Sequence, residues 1–107
     1  MGFSVTRLDD RVIIHVPEWL ITANKGVLRQ LALDALDEGG RRFTVDLVDT
    51  TYIDSSGLGT LVGISKKIHE QQGNIRLVHL SDDISTLFRL TKLDAYFDGL
   101  GGGPSAA

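Results

Sequence analysis

The sequence predicts one small α/β domain, a sheet with helices packed against it. Three observations carry that expectation. The chain has 107 residues, 42% of them hydrophobic, which suits one core and leaves no room for a second domain. Apolar residues recur with period two in four short segments and with the helical period in three longer ones. From residue 43 onward the two periods alternate, the order of βαβ crossovers.

Residues 3–8 alternate, with Phe3, Val5 and Leu8 set against Ser4 and Thr6. Asp9 and Asp10 read as a turn. Residues 11–16 alternate again, with Val12, Ile14 and Val16 on one face, so the two segments predict an N-terminal hairpin. Pro17 ends the second strand because it has no N–H to give a ladder. In residues 23–38, Leu28, Leu31, Ala32 and Ala35 share one helical face, flanked by Val27 and Leu36, and Gly39 with Gly40 supplies a stop.

Residues 43–48 read as a strand, with Phe43, Val45 and Leu47 alternating against Thr44 and Asp46. Residues 55–72 read as the second helix, stopped by Gly73, and residues 74–80 as the next strand. Residues 82–90 place Ile84, Leu87 and Phe88 on one helical face, and residues 93–97 form a last short element. The domain is expected over residues 1–98. Residues 99–107, rich in glycine, are expected as a flexible tail with nothing to bury.

Composition removes several function classes. There is no cysteine, so disulfide frameworks, zinc fingers and thiol chemistry are excluded. The formal charge is −3 with no Lys/Arg run, which argues against a nucleic-acid partner. No apolar stretch approaches the roughly 18–20 residues of a membrane span, and residues 1–7 lack the apolar core of a signal peptide. A cytoplasmic protein without direct membrane insertion is the expectation.

The informative segment is Ile53-Asp54-Ser55-Ser56-Gly57-Leu58-Gly59, where a polar loop opens a helix. A helix N-terminus exposes unpaired N–H groups and a partial positive charge, which a serine hydroxyl can cap and a phosphate can occupy. Asp and Ser are also the commonest caps, so capping alone accounts for the pair. At about 100° per residue, Leu58, Leu61, Val62, Ile64, Ser65 and Ile68 form the core face. Ser56, Gly59, Thr60, Gly63, Lys66, Lys67 and Glu70 fall opposite. Each glycine there costs the helix about 1 kcal/mol against alanine. A partner pressing onto Gly59 and Gly63 explains them, and so does a helix kept loose at its start.

This block resembles the signature of STAS-domain anti-sigma factor antagonists, and the likeness extends over about residues 3–97. It implies a mixed four- to five-stranded sheet with helices packed on one face. It also implies a regulatory binding protein, not an enzyme, that engages a kinase-type anti-sigma factor. In that family the serine after the aspartate accepts the phosphate, here Ser55 and, as the lesser alternative, Ser56. Phosphorylation releases the partner, and a phosphatase resets the switch. The partner surface it implies takes in Asp54, Ser55 and Ser56, with Glu18 from the turn after the second strand. Where the family has Gly-Glu-(Leu/Ile)-Asp, this chain has Pro17-Glu18-Trp19-Leu20, and Lys92 stands where a glycine is usual. Trp19 reads either as a contact residue or as cover for one end of the core.

Two other classes compete. One is a STAS subunit regulating a membrane lipid transporter without phosphorylation, against which the Asp54–Ser55 pair speaks. The other is a serine hydrolase, which needs a base near Ser55. The segment is not Gly-x-Ser-x-Gly, and His69 would lie about 21 Å along the same helix. His15, His69 and His79 read as ordinary surface or half-buried residues. No His/Asp/Glu spacing suggests a metal, Gly57-Leu58-Gly59 is too short for a nucleotide loop, and no cofactor is expected.

Overall fold

The structure, a computed structural model, describes residues 2–102. Its elements are β1 (Ser4–Leu8), β2 (Arg11–His15), β3 (Trp19–Leu20), α1 (Lys25–Asp37), β4 (Arg42–Asp46), β5 (Tyr52–Ile53), α2 (Ser55–Glu70), β6 (Asn74–Leu80), α3 (Asp82–Leu90), a 3-10 turn at Leu93–Tyr96, and β7 (Gly99–Gly102). Five strands form the main sheet in the order β1-β2-β4-β6-β7. β1 runs antiparallel to β2 and every other neighbour is parallel, so the sheet is mixed, as expected.

The period-two pattern sorts the sheet into two faces. Val12, Ile14, Phe43, Val45, Ile75 and Leu77 are buried, and they share one core with Leu28, Ala32 and Ala35 of α1, Leu61, Ile64 and Ile68 of α2, and Ile84 and Phe88 of α3. The alternate residues, such as Arg11, Ile13, Arg42 and Arg76, are exposed on the face without helices. Among the described residues no helix is long and apolar enough to cross a membrane.

Several expectations need correction. Leu8 is 66% exposed, because only Phe3 and Val5 of the first strand reach the core. Val27 is also exposed, at the edge of the apolar stripe of α1. Gly39 takes φ +102 just beyond α1, a left-handed stop as expected. Beyond α2 the left-handed residue is Gln72, not Gly73. Gly73 is needed for another reason: a Cβ there would stand 2.5 Å from the Arg41 carbonyl oxygen.

The largest correction concerns the tail. Gly99–Gly102 form β7 and pair with β6, with Arg76 opposite Gly99 and Leu77 opposite Leu100. Leu100 packs partly against the core, so this segment does bury a side chain. Residues 103–107, the rest of the expected tail, lie outside the described residues.

Candidate functional site

The site is assembled where two chain segments run side by side. After β2, Pro17 and Glu18 lie against the loop that follows β4. The buried Thr50 donates its hydroxyl to the Pro17 carbonyl at 2.9 Å, and the Thr51 N–H donates to the Glu18 carbonyl at 2.8 Å. β3 and β5 then pair in parallel, Trp19 with Tyr52 and Leu20 with Ile53. The Asp54 N–H closes the run by donating to the Leu20 carbonyl at 3.1 Å. Glu18 and Trp19 are thereby carried beside Asp54 and Ser55, which the sequence placed 35 or more residues away.

Leu20 is fully buried while Trp19 is 55% exposed, so Leu20 covers this end of the core and Trp19 does not. Tyr52, its cross-strand neighbour, is 56% exposed. Two large aromatic residues, each more than half exposed, therefore occupy paired strand positions just before α2, and such residues anchor interfaces. Tyr52 was not among the residues expected from sequence.

Asp54 is the N-cap of α2. Its Oδ1 accepts the Gly57 N–H at 2.8 Å, and its Oδ2 accepts the Thr22 N–H at 3.0 Å. The Thr22 hydroxyl sits 3.2 Å from the same Oδ2 and 2.9 Å from the Ser56 Oγ. One hydroxyl carries one proton, so Ser56 donates to Thr22 whenever Thr22 donates to Asp54. The Gly57 N–H, with those of Thr22 and Ser56 and the Thr22 hydroxyl, holds the Asp54 carboxyl below its ordinary value against the upward push of burial.

The two serines therefore differ. Ser55 is the first residue of α2, is exposed, and its hydroxyl has no hydrogen-bond partner among the described residues. Ser56 is half-buried and engaged by Thr22. Gly57 has a structural task that sequence reasoning missed: a Cβ there would stand 2.5 Å from the Leu20 carbonyl oxygen. Gly59 and Gly63 lie away from the core, as expected. A Cβ on Gly59 would meet nothing within 4 Å, and one on Gly63 only Arg29 Nη1 at 4.0 Å. A groove of about 370 Å³ runs between α1 and α2 here, lined by Lys25, Gly26, Arg29, Ser56, Gly59 and Thr60.

A serine–histidine–aspartate chain exists, but elsewhere. Ser65 Oγ is 3.3 Å from His69 Nδ1, and His69 Nε2 is 2.8 Å from Asp98 Oδ2. Ser65 is fully buried and donates its hydroxyl to the Tyr96 carbonyl, so it cannot meet a substrate. Asp98 also accepts the Ile75 N–H at 2.7 Å, and the chain clasps the 3-10 turn and β7 to α2 and β6. His15 contacts Asp49 at 2.9 Å and His79 contacts Asp46 at 3.0 Å. Among the described residues no group of three or more His, Asp or Glu side chains is arranged to hold a metal.

The STAS domain model matches residues 3–102. This chain belongs to the STAS domain family. A Bacillus subtilis strain 168 protein named anti-sigma-B factor antagonist is 39% identical over 98 residues, spanning 92% of this chain and 89% of the relative. A STAS anti-sigma factor antagonist from Planctomyces limnophilus superposes with a TM-score of 0.78 at 24% identity, covering 92% of this chain and 88% of that one. Bacillus SpoIIAA in its phosphorylated form superposes with a TM-score of 0.74 at 17% identity, covering 91% and 89%. The last two likenesses establish the STAS fold, and the mixed five-stranded sheet described above is that fold.

Proposed function

We propose that this STAS domain is an anti-sigma factor antagonist acting in the cytoplasm by partner switching, without enzymatic activity of its own. Unphosphorylated, the start of α2 and the Glu18–Trp19 segment dock a kinase-type anti-sigma factor, which frees the sigma factor. The partner transfers the γ-phosphoryl group of ATP to the Ser55 hydroxyl, releasing ADP and a proton, and lets go. A phosphatase restores the binding form.

The observation that carries this reading is the contrast between the two serines: Ser55 offers an exposed, unengaged hydroxyl, and Ser56 is tied to Thr22. The name of the Bacillus subtilis relative points to the same role. Phosphorylation adds a charge of roughly −1.5 to −2. At the first residue of α2 the helix N-terminus tolerates that charge, so the domain stays folded. The partner surface, already carrying Asp54 and Glu18, becomes strongly anionic, and a partner complementary to the neutral serine is repelled.

The direct test is phosphopeptide mapping after incubation with the cognate kinase-type anti-sigma factor and ATP. The modification is expected on Ser55. Modification confined to Ser56 would move the acceptor by one residue, and none with a verified cognate kinase would overturn the switch.

A further inference from the structure

The face of the sheet without helices carries Arg11, Arg42 and Arg76, in a chain whose formal charge is −3. Strand register puts Arg11 opposite Arg42, and in the next row Ile13, Thr44 and Arg76 stand side by side. With strands about 4.8 Å apart and alternate residues about 6.7 Å apart, the three arginine Cα positions fall within about 12 Å of one another. Together with Asn74 they line a shallow groove of about 460 Å³.

Asp10, Asp46 and Asp98 match the three arginines in number, but only Asp10 pairs with one of them. Arg42 is paired with Asp10 at 2.7 Å. Arg11 and Arg76 form no ion pair among the described residues. Asp98 borders the groove, but its Oδ2 is occupied by His69 and the Ile75 N–H. The Arg76 guanidinium extends toward β7, where a Cβ on Gly99 would stand 3.5 Å from its Nη2. Beside the arginines lie two exposed apolar side chains, Ile13 at 44% and Leu8 at 66%.

We propose that this face is a second docking surface, for an acidic segment of a partner protein. Two carboxylates would meet Arg11 and Arg76 in charge-assisted hydrogen bonds, and an apolar side chain between them would cover Ile13. A nucleic acid or an anionic membrane is a poorer match, because two unpaired arginines offer a short acidic segment its partners but not the broad basic stripe that an extended polyanion needs. The surface lies across the sheet from α2, so its occupant leaves Ser55 and the anti-sigma site open. The domain would then hold two proteins at once.

The test is an NMR titration of the full chain with the capped acidic pentapeptide Glu-Glu-Leu-Glu-Glu at millimolar concentration. Amide shifts are expected at Arg11, Ile13, Thr44 and Arg76 and not over Ser55–Glu70. The pair Arg11→Glu with Arg76→Glu should weaken the peptide by at least about tenfold, and the milder pair Arg11→Gln with Arg76→Gln should weaken it too. Both pairs should leave affinity for the anti-sigma factor unchanged, which separates this surface from the proposed switch. Absence of shifts, shifts equal with Lys-Lys-Leu-Lys-Lys, or shifts unaltered by the charge reversals would overturn the proposal. So would tighter binding to duplex DNA or to phosphatidylglycerol-containing vesicles than to the peptide.

Discussion

Asp54 and Thr22 are joined twice: the Asp54 Oδ2 accepts the Thr22 N–H at 3.0 Å and lies 3.2 Å from its hydroxyl. This fastens the turn before α1 to the first turn of α2. The same hydroxyl lies 2.9 Å from the Ser56 Oγ, so one threonine engages Ser56 and not its neighbour Ser55.

Thr22→Val keeps the backbone N–H and removes the hydroxyl. The fold should survive with a small drop in Tm, and Ser56 should lose its partner. Phosphopeptide mapping should then find modification on Ser56 as well as Ser55. If Ser55 alone is modified in both proteins, the Thr22 contact does not select the acceptor.

The glycines of α2 should respond with opposite signs. Gly57→Ala forces a Cβ to within 2.5 Å of the Leu20 carbonyl and should cost about 1–3 kcal/mol. Gly59→Ala enters open space and should stabilise by up to about 1 kcal/mol. Urea unfolding of both variants checks this. If the partner packs on this strip, Gly59→Leu and Gly63→Leu should weaken anti-sigma binding by more than about 1 kcal/mol without loss of stability. Stability lost with affinity retained would assign these glycines to internal packing instead.

Acid should loosen the carboxylate contacts that hold the fold together. Burial pushes the Asp98 carboxyl up, but the Ile75 N–H and His69 outweigh it, and the carboxyl lies below its ordinary value. In Asp46 burial is likewise outweighed, by His79 and the Val48 N–H. Asp54 is lowered chiefly by the Gly57 N–H. In each case the unfolded chain binds the proton more readily than the folded one. Their stabilisation is therefore complete above the ordinary aspartate value of about 3.9 and is lost as pH falls through the lowered values. Urea midpoints should drop between neutral pH and about pH 3, and Asp98→Asn should blunt the drop.

What the sequence revealed and what it hid follow from the range of the forces involved. β2, β4, β6 and the three helices were legible because each is long enough to show its own period: Val12 and Ile14, Phe43 and Val45, Leu28, Ala32 and Ala35 point one way without help. β3 and β5 are two residues each and exist only because each completes the other, so no local pattern announces them. β7 is Gly-Leu-Gly-Gly, a strand by backbone pairing to β6 with almost no side chains to alternate. Around the start of α2, the expectations for Asp54, Ser55 and Glu18 came from the family resemblance, and that for Trp19 from its residue type on a loop. Thr22, Tyr52 and the requirement at Gly57 were not legible, because each depends on a neighbour 30 or more residues away.

Lys92, just beyond α3, adopts φ +60. A left-handed non-glycine residue costs about 1–2 kcal/mol, partly offset because glycine loses more freedom on folding. Lys92→Gly should raise stability by up to about 1 kcal/mol, read as a higher urea midpoint. A lower midpoint would mean that the lysine side chain contributes more than its backbone costs.

In the proposed switch the state of Ser55 sets partner affinity. Ser55→Ala should bind the anti-sigma factor like the unmodified protein and resist release by ATP, while Ser55→Asp, with less charge than phosphate, should mimic release only in part. The most direct measurement is titration calorimetry of a kinase-type anti-sigma factor against unmodified and Ser55-phosphorylated protein. The phosphorylated form is predicted to bind at least about tenfold more weakly, about 1.4 kcal/mol. Equal affinities would contradict the switch.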